Sequence, residues 1–120
     1  MTADKRRKPG ERPWLNDFEQ LALLAVARLD DEAYGMRIRH LIEERAGREV
    51  PIASIYAALE RLEQRGCLTT WLSEPTPERG GRAKKNFSLT PLGVELLQGE
   101  QRAFARMWDG VELRPGLEES

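Results

Sequence analysis

Two amphipathic helical stretches lie so close together in this chain that few folds can hold both. AYGMRIRHLIEERAG (residues 33–47) puts Ile38, Leu41, Ile42 and Arg45 on one helical face, and Gly47 supplies a left-handed stop. IASIYAALERLEQRG (residues 52–66) repeats the pattern with Ile55, Leu59 and Leu62, opened by Pro51 and closed by Gly66. Only GREVP separates them. So brief a turn forces the two helices to pack at a steep angle and directs the opposite face of the second outward. That face carries Ala53, Ser54, Tyr56, Ala57, Glu60, Arg61 and Gln64.

A third helix is predicted upstream, from about residue 17 to residue 29. Asn16 or Asp17 can cap it, Glu19 or Gln20 can complete a capping box, and Trp14 or Leu15 stands where a hydrophobic staple belongs. Its FEQLALLAVARL is apolar almost all the way round in the second half, so something should cover both sides. Downstream, CLTTWLSE and AKKNFSLT read as strands, the second alternating Phe87 and Leu89 against polar neighbours. Between them EPTPERGGR could be a linker, a phosphate cradle or a hairpin tip. Strand-like sequence on both sides excludes a linker, and the lack of a glycine-rich turn leading into a Lys-Ser/Thr helix start excludes a nucleotide cradle. A hairpin remains, with Arg79 and Arg82 flanking Gly80 and Gly81 at its tip. Lys84 and Lys85 point to opposite faces of the second strand, so at most one shares the surface of the tip.

Thr90 and Pro91 then form a cap and first-turn pair that opens a last helix reaching about Val111. Such a helix outruns the core available to it. Its distal half, with Phe104, Met107, Trp108 and Val111, lacks a partner in the same chain, so these residues, with Leu21 and Leu24 on the apolar first helix, are the candidate dimer interface. The order is therefore mainly α with a small β hairpin, an α+β winged helix-turn-helix followed by a dimerisation helix. Residues 1–13 are expected to be a disordered basic arm, 14–90 the winged domain, 91–111 the dimerisation helix and 112–120 an acidic flexible tail.

The chain has 120 residues and a net charge of −1, so its bulk field draws it neither to nucleic acid nor to anionic membrane. Charge is segregated, however: Lys5, Arg6, Arg7, Lys8 and Arg12 crowd the start, four more cations stand in and after the hairpin tip, and the end is acidic. The single cysteine, Cys67, allows neither an intramolecular disulfide nor a cysteine zinc site and reads as a buried thiol in a reducing compartment. The longest apolar run is far too short to span a bilayer and no signal-peptide core follows the basic start, so a cytoplasmic location is expected. His40 reads as a surface side chain. With no clustered carboxylates and no nucleophile beside a base, neither catalysis nor a metal or cofactor site is expected.

The motifs DEAYGMRI, SIYAALERLEQRG, EPTPERGGRAKKNFSLTPLG and RMWDGVE, in this order and spacing, resemble the PadR family of bacterial transcriptional regulators, especially its short members with one C-terminal helix. The resemblance implies a homodimeric DNA-binding regulator, usually a repressor released by a small molecule. It implies that Tyr34 and Gly35 open the second helix, that Tyr56 lies on the recognition helix and that Gly80 and Gly81 form the wing tip. Two departures stand out: Ala57 follows the tyrosine where the family often has Arg, Lys or Pro, and Asn86 precedes Phe87 where aromatic pairs are common.

Read against the chemistry of DNA, the candidate contacts are Tyr34, Ala53, Ser54, Tyr56, Ala57, Arg61, Arg79, Gly80, Gly81, Arg82, Lys84 and Lys85. Few of these offer paired donors and acceptors, so direct base readout should be sparse and phosphate contacts should carry much of the affinity. The N-terminal KRRK is either an arm reaching adjacent backbone or a solubility tail. Trp108 is either an interface anchor or part of a cavity at the dimer interface that stacks a planar hydrophobic effector. The rival functions are a winged-helix module that binds protein and a small-molecule binding protein without an operator.

Overall fold

The computed structural model describes residues 13–74 and 83–116. Four helices and a hairpin follow in the predicted order: α1 (Asp17–Leu29), a single 3-10 turn (Asp30–Glu32), α2 (Gly35–Ala46), α3 (Ile52–Gln64), β1 (Leu68–Leu72), β2 (Lys85–Leu89) and α4 (Pro91–Trp108). The mainly helical winged helix-turn-helix is therefore observed. The hairpin tip, with Arg79, Gly80, Gly81 and Arg82, lies outside the described residues, as do residues 1–12 and 117–120.

Local chemistry sets the helix ends. Asn16 accepts from the Glu19 amide at 2.7 Å while the Glu19 carboxylate accepts from the Asn16 amide at 2.9 Å, a complete capping box. Gly47 ends α2 at φ 70, and the Glu43 carboxylate accepts from the Val50 amide at 3.1 Å, tying the end of α2 to the short turn. That hydrogen bond, followed by the charge of Arg39, holds the Glu43 carboxyl below its ordinary value. Thr90 caps α4 by accepting from the Gly93 amide at 3.1 Å, and its hydroxyl donates to the Gly66 carbonyl at 2.6 Å. A methyl group on Gly93 would collide with the Cys67 carbonyl, so a residue without a side chain is needed where α4 docks on the α3–β1 turn.

One core joins the elements. Ala22, Leu23 and Val26 of α1 meet Ile38 and Ile42 of α2, Ile55, Leu59 and Leu62 of α3, Leu68 and Phe87 of the hairpin, and Leu92 of α4. The strands pair antiparallel, with Leu68 opposite Leu89 and Thr70 opposite Phe87. A further pairing goes beyond the sequence reading. Tyr34 bridges to Asn86, and the Phe87 amide donates to the Ala33 carbonyl at 2.8 Å, so the wing is stitched to the residues that lead into α2.

Two features differ from expectation. The helix α4 ends at Trp108, not near Val111: Asp109 leaves helical geometry at ψ 123 and Gly110 follows at φ 78, a reversal that a glycine accepts readily. Glu19, read as a cap partner alone, is also fully buried and takes a hydrogen bond from Arg65 Nη1 at 3.2 Å, while Arg65 Nη2 donates to the Trp14 carbonyl at 3.1 Å. Arg61 stands at the edge of this pair, its Nε 4.0 Å from Glu19 and its side chain half exposed.

Removing one member of a buried pair strands the other charge. Arg65→Leu should therefore cost about 3 kcal/mol or more in urea unfolding, whereas Arg61→Ala should cost less than about 1 kcal/mol because its contact is long and solvated. Similar losses for the two variants would contradict the assignment. Glu43 gives a pH signature. Its folded pKa is lowered, so its stabilising contribution is complete above the unfolded value and lost as pH falls through the folded value. Acid titration of Glu43→Gln should show a shallower loss of stability over that window than the parent chain.

Candidate nucleic-acid interface

The helix-turn-helix directs α3 outward as the sequence reading expected: Ala53, Ser54, Tyr56, Ala57, Glu60, Arg61 and Gln64 are all exposed, and Ile55, Ala58, Leu59 and Leu62 face the core. The outward face is small and polar toward the start of α3, where Ala53, Ser54 and Ala57 leave a shallow surface. Glu60 adds a negative charge to the same face.

Tyr56 is 48% exposed, yet its ring does not extend freely. It lies over the first residue of α2, so close that a Cβ built on Gly35 would stand 2.6 Å from Tyr56 Cε1. Here glycine is required for close approach, since no positive φ is involved. No side chain caps the start of α2. Its N-cap, Tyr34, makes no side-chain capping bond, and no acidic residue occupies the first turn. Uncapped amides at a helix start carry partial positive charge and point at whatever lies beyond.

Lys84 completes the cluster. Its Nζ sits 4.2 Å from the centroid of the half-buried Tyr34 ring, a cation over an aromatic face, and it makes no ion pair among the described residues. Lys85 departs in the other direction, its Nζ 5.7 Å from the Phe87 ring. Most arginines of the helical body are engaged: Arg37 with Glu32 at 3.3 Å, Arg39 with Glu43 at 3.2 Å and Arg48 with Asp17 at 3.1 Å. Lys84 is thus a cation left without a carboxylate partner, among the described residues, beside the start of α2 where the wing leaves the body.

Of the candidate contacts, Lys84 lies over Tyr34, Tyr56 lies over the neighbouring Gly35, Ala53, Ser54 and Ala57 stand on the outward face of α3, Arg61 lies by Glu19, and Lys85 lies toward Phe87. The sequence reading did not see why Gly35 is needed; a glycine at the first helical position, without a left-handed backbone, is the signal that could have shown it. Nor did it see Asn86 as a structural residue. Asn86 is buried, its Nδ2 donates to the Lys84 carbonyl at 3.0 Å, and it carries the bridge to Tyr34, so it holds the segment leading into β2, where Lys84 stands.

A second surface lies away from the outward face of α3. Leu24 is 47% exposed on α1, and Phe104, Met107, Trp108 and Val111 are exposed along and beyond the distal half of α4. Leu21 is half buried against the chain's own core. Between α1 and α4 runs a groove of about 400 Å³, lined by Gln20, Leu24, Leu89, Leu97, Gln101 and Phe104 among others. Among the described residues no group of His, Cys, Asp and Glu could hold a metal ion, and no helix is long and apolar enough to cross a membrane.

Known proteins share this arrangement. The family described as Transcriptional regulator PadR-like family matches residues 23–99. An uncharacterized 37.1 kDa protein in transposon TN4556 of Streptomyces fradiae is 37% identical over 92 residues, covering 77% of this chain and 24% of that protein. The chain thus spans about a quarter of the length of that relative. Among solved structures, a transcriptional regulator from Clostridium thermocellum superposes with a TM-score of 0.62 at 18% identity, over 76% of this chain and 82% of that one. A PadR family transcription regulator from Clostridium difficile R20291 superposes at 0.60 with 22% identity, over 74% and 91%. These superpositions carry the fold, and the sequence match carries the membership: the chain belongs to the PadR-like family of transcriptional regulators.

Proposed function

We propose that this family member is a sequence-specific DNA-binding repressor that binds a roughly palindromic operator as a homodimer. The observation that carries the reading is that Lys84 lies over the Tyr34 ring and Tyr56 over the neighbouring Gly35, at the uncapped start of α2 and beside the outward face of α3. A hydroxyl, an ammonium group and uncapped amides at one place suit a backbone phosphate, and a phosphate held there sets α3 in the adjoining major groove. Lys84, just before β2, and not Lys85 is then the lysine that meets DNA. Arg79, Gly80, Gly81 and Arg82 extend the contact along the wing, and Ser54 with Ala53 and Ala57 meets base edges. The family is one of regulators and not of enzymes.

The homodimer is supported by the exposed apolar residues of α1 and α4. An isolated chain that leaves Leu24, Phe104, Met107 and Trp108 in water gains by covering them. Two-fold symmetry gives the operator its palindrome, with half-sites about one helical turn, or about 34 Å, apart. Repression follows from exclusion of polymerase at such a site. A planar hydrophobic effector bound against the α1–α4 groove would shift the spacing of the two recognition helices and so the affinity.

Binding to fragments of the chain's own upstream region, followed by fluorescence anisotropy over a salt series, tests the central reading. Affinity should fall steeply with salt, and Lys84→Ala should weaken binding to all sequences together while reducing the log–log slope by about 1. Binding no better than to random duplex at moderate salt would end the regulator reading and favour the protein-binding rival. Gly35→Ala separates fold from function. The nearest atoms the methyl group meets are those of an exposed tyrosine ring, so the melting temperature should hardly change while DNA affinity falls about tenfold, the worth of one lost hydrogen bond to a charged group. Undiminished affinity would remove Tyr56 from the contact set. Truncation after Arg102 should yield monomers by sedimentation, and an unchanged dimer would sink the role given to α4.

A further inference from the structure

The hairpin has one covered edge and one bare edge. β2 is flanked by β1 on one side and, on the other, by the residues before α2, through the Tyr34–Asn86 bridge and the Phe87 amide on the Ala33 carbonyl. Among the described residues, β1 has β2 on one side and no strand on the other. The ladder shows which of its backbone groups are left over. The Ser73 amide donates to the Lys84 carbonyl at 2.9 Å and the Thr90 amide to the Cys67 carbonyl at 3.0 Å, so the odd-numbered residues from 67 to 73 bond toward β2 and the even-numbered ones point away. The amides and carbonyls of Thr70 and Leu72 therefore have no backbone partner among the described residues.

Sheet edges in soluble proteins are normally blunted by charge, proline or a bulge. This edge has none of them: LTTWLS (residues 68–73) holds no charged residue and no proline, and its pairing with β2 runs residue for residue. It is also apolar. Leu72 is 69% exposed, and Trp71 is exposed too, its indole Nε1 donating to Ser88 Oγ at 3.0 Å. Donors and acceptors left open at every second residue fit an extended strand, the mode of strand addition at a sheet edge.

The strand fits itself. About a two-fold axis at Trp71, an antiparallel copy sets Thr70 of each chain against Leu72 of the other, which satisfies all the outward amides and carbonyls of both residues. Trp71 then stands opposite Trp71 at a non-hydrogen-bonded position, where cross-strand side chains come closest and aromatic pairs add stability. Thr69 faces Ser73, and no like charges meet. A register two residues off in either direction separates the indoles, and one of these two also calls on the backbone of buried Leu68, beside the turn on which α4 docks.

We infer that the β1 edge is a second self-association surface, β1 pairing antiparallel with β1 of another copy about Trp71 to join two hairpins into one four-stranded sheet. It leaves the α1–α4 surface untouched, so it adds to the homodimer proposed above and does not depend on it. A contact this small is weak between free chains. Its effect grows where copies are held side by side, as on neighbouring sites of one duplex.

Sedimentation of the full chain over a concentration series reads the association, which should appear as a larger species at high concentration. Thr70→Pro removes an outward amide and no ladder bond to β2, at an edge position where proline is tolerated. The melting temperature should hardly change, while the association weakens at least about tenfold, since each copy loses an amide from the same contact. Equal association of variant and parent would overturn the pairing. So would a parent that keeps its low-concentration size, which would leave the edge to an extended segment of another protein. The step starts from a dimer where the homodimer holds and from a monomer where it does not, so failure of the homodimer is seen separately.

Disulfide capture under mild oxidation reads the register. Positions 69 and 73 of opposite chains should lie about 4.5 Å apart between Cα atoms, within reach of a disulfide, whereas like positions of the two chains are roughly 14 Å apart. Thr69→Cys combined with Ser73→Cys should therefore link two chains. Either change alone should not, nor should the parent with its buried Cys67. Capture by a single variant, or none by the double one, would overturn the register about Trp71.

Discussion

The carboxylate of Glu19 is enclosed by protein, and the arrangement of the helices depends on what surrounds it. One oxygen closes the first turn of α1 and takes the guanidinium of Arg65 from the end of α3. The residues just before α1 extend the junction: the Trp14 carbonyl accepts from Arg65, and the Leu15 amide donates to Glu100 on α4. The start of α1 thus joins the helix that faces outward to the helix that overhangs. A buried pair of this kind adds little net stability compared with apolar packing, but it tolerates few other geometries. It fixes where α3 points, and with it the surface offered to a partner.

The uncapped start of α2 is where sequence economy shows. A single missing side chain at Gly35 lets the Tyr56 ring approach, and the bridge from Tyr34 to Asn86 brings β2 and Lys84 to the same place. Three elements distant in sequence meet without an acidic neighbour in the first turn of α2. The chain's net charge of −1 gives no hint of this, because Arg37, Arg39 and Arg48 are paired with carboxylates while Lys84 is left over the Tyr34 ring. Local placement, not total charge, decides what such a surface attracts.

Much of this was readable from residue order. The capping box at Asn16 and Glu19, the left-handed stop at Gly47, the Thr90 cap and the alternation around Phe87 each act over a few residues, so they announce the elements they bound. The outward face of α3 was readable for the same reason, its core positions recurring at helical spacing. Contacts between distant residues were not. Nothing near Glu19 says that Arg65 will reach it, and Asn86 reads as a lapse in an aromatic pattern until the Tyr34 bridge gives it a place. The end of α4 was read three residues long because Trp108 and Val111 continue an apolar stripe that the backbone abandons at Asp109. The stripe served a surface, not a helix.

The account stands or falls on which face of the molecule meets DNA. Amide chemical-shift mapping of the isotope-labelled protein, titrated with duplex from its upstream region, reads that face residue by residue. The predicted result is a cluster of perturbed amides at Tyr34 to Arg37, Ala53 to Ala57 and Lys84 to Asn86, with Leu24 and the overhang of α4 unaffected beyond dimer signals already present. Perturbations centred on the α1–α4 groove, with the start of α2 silent, would contradict it.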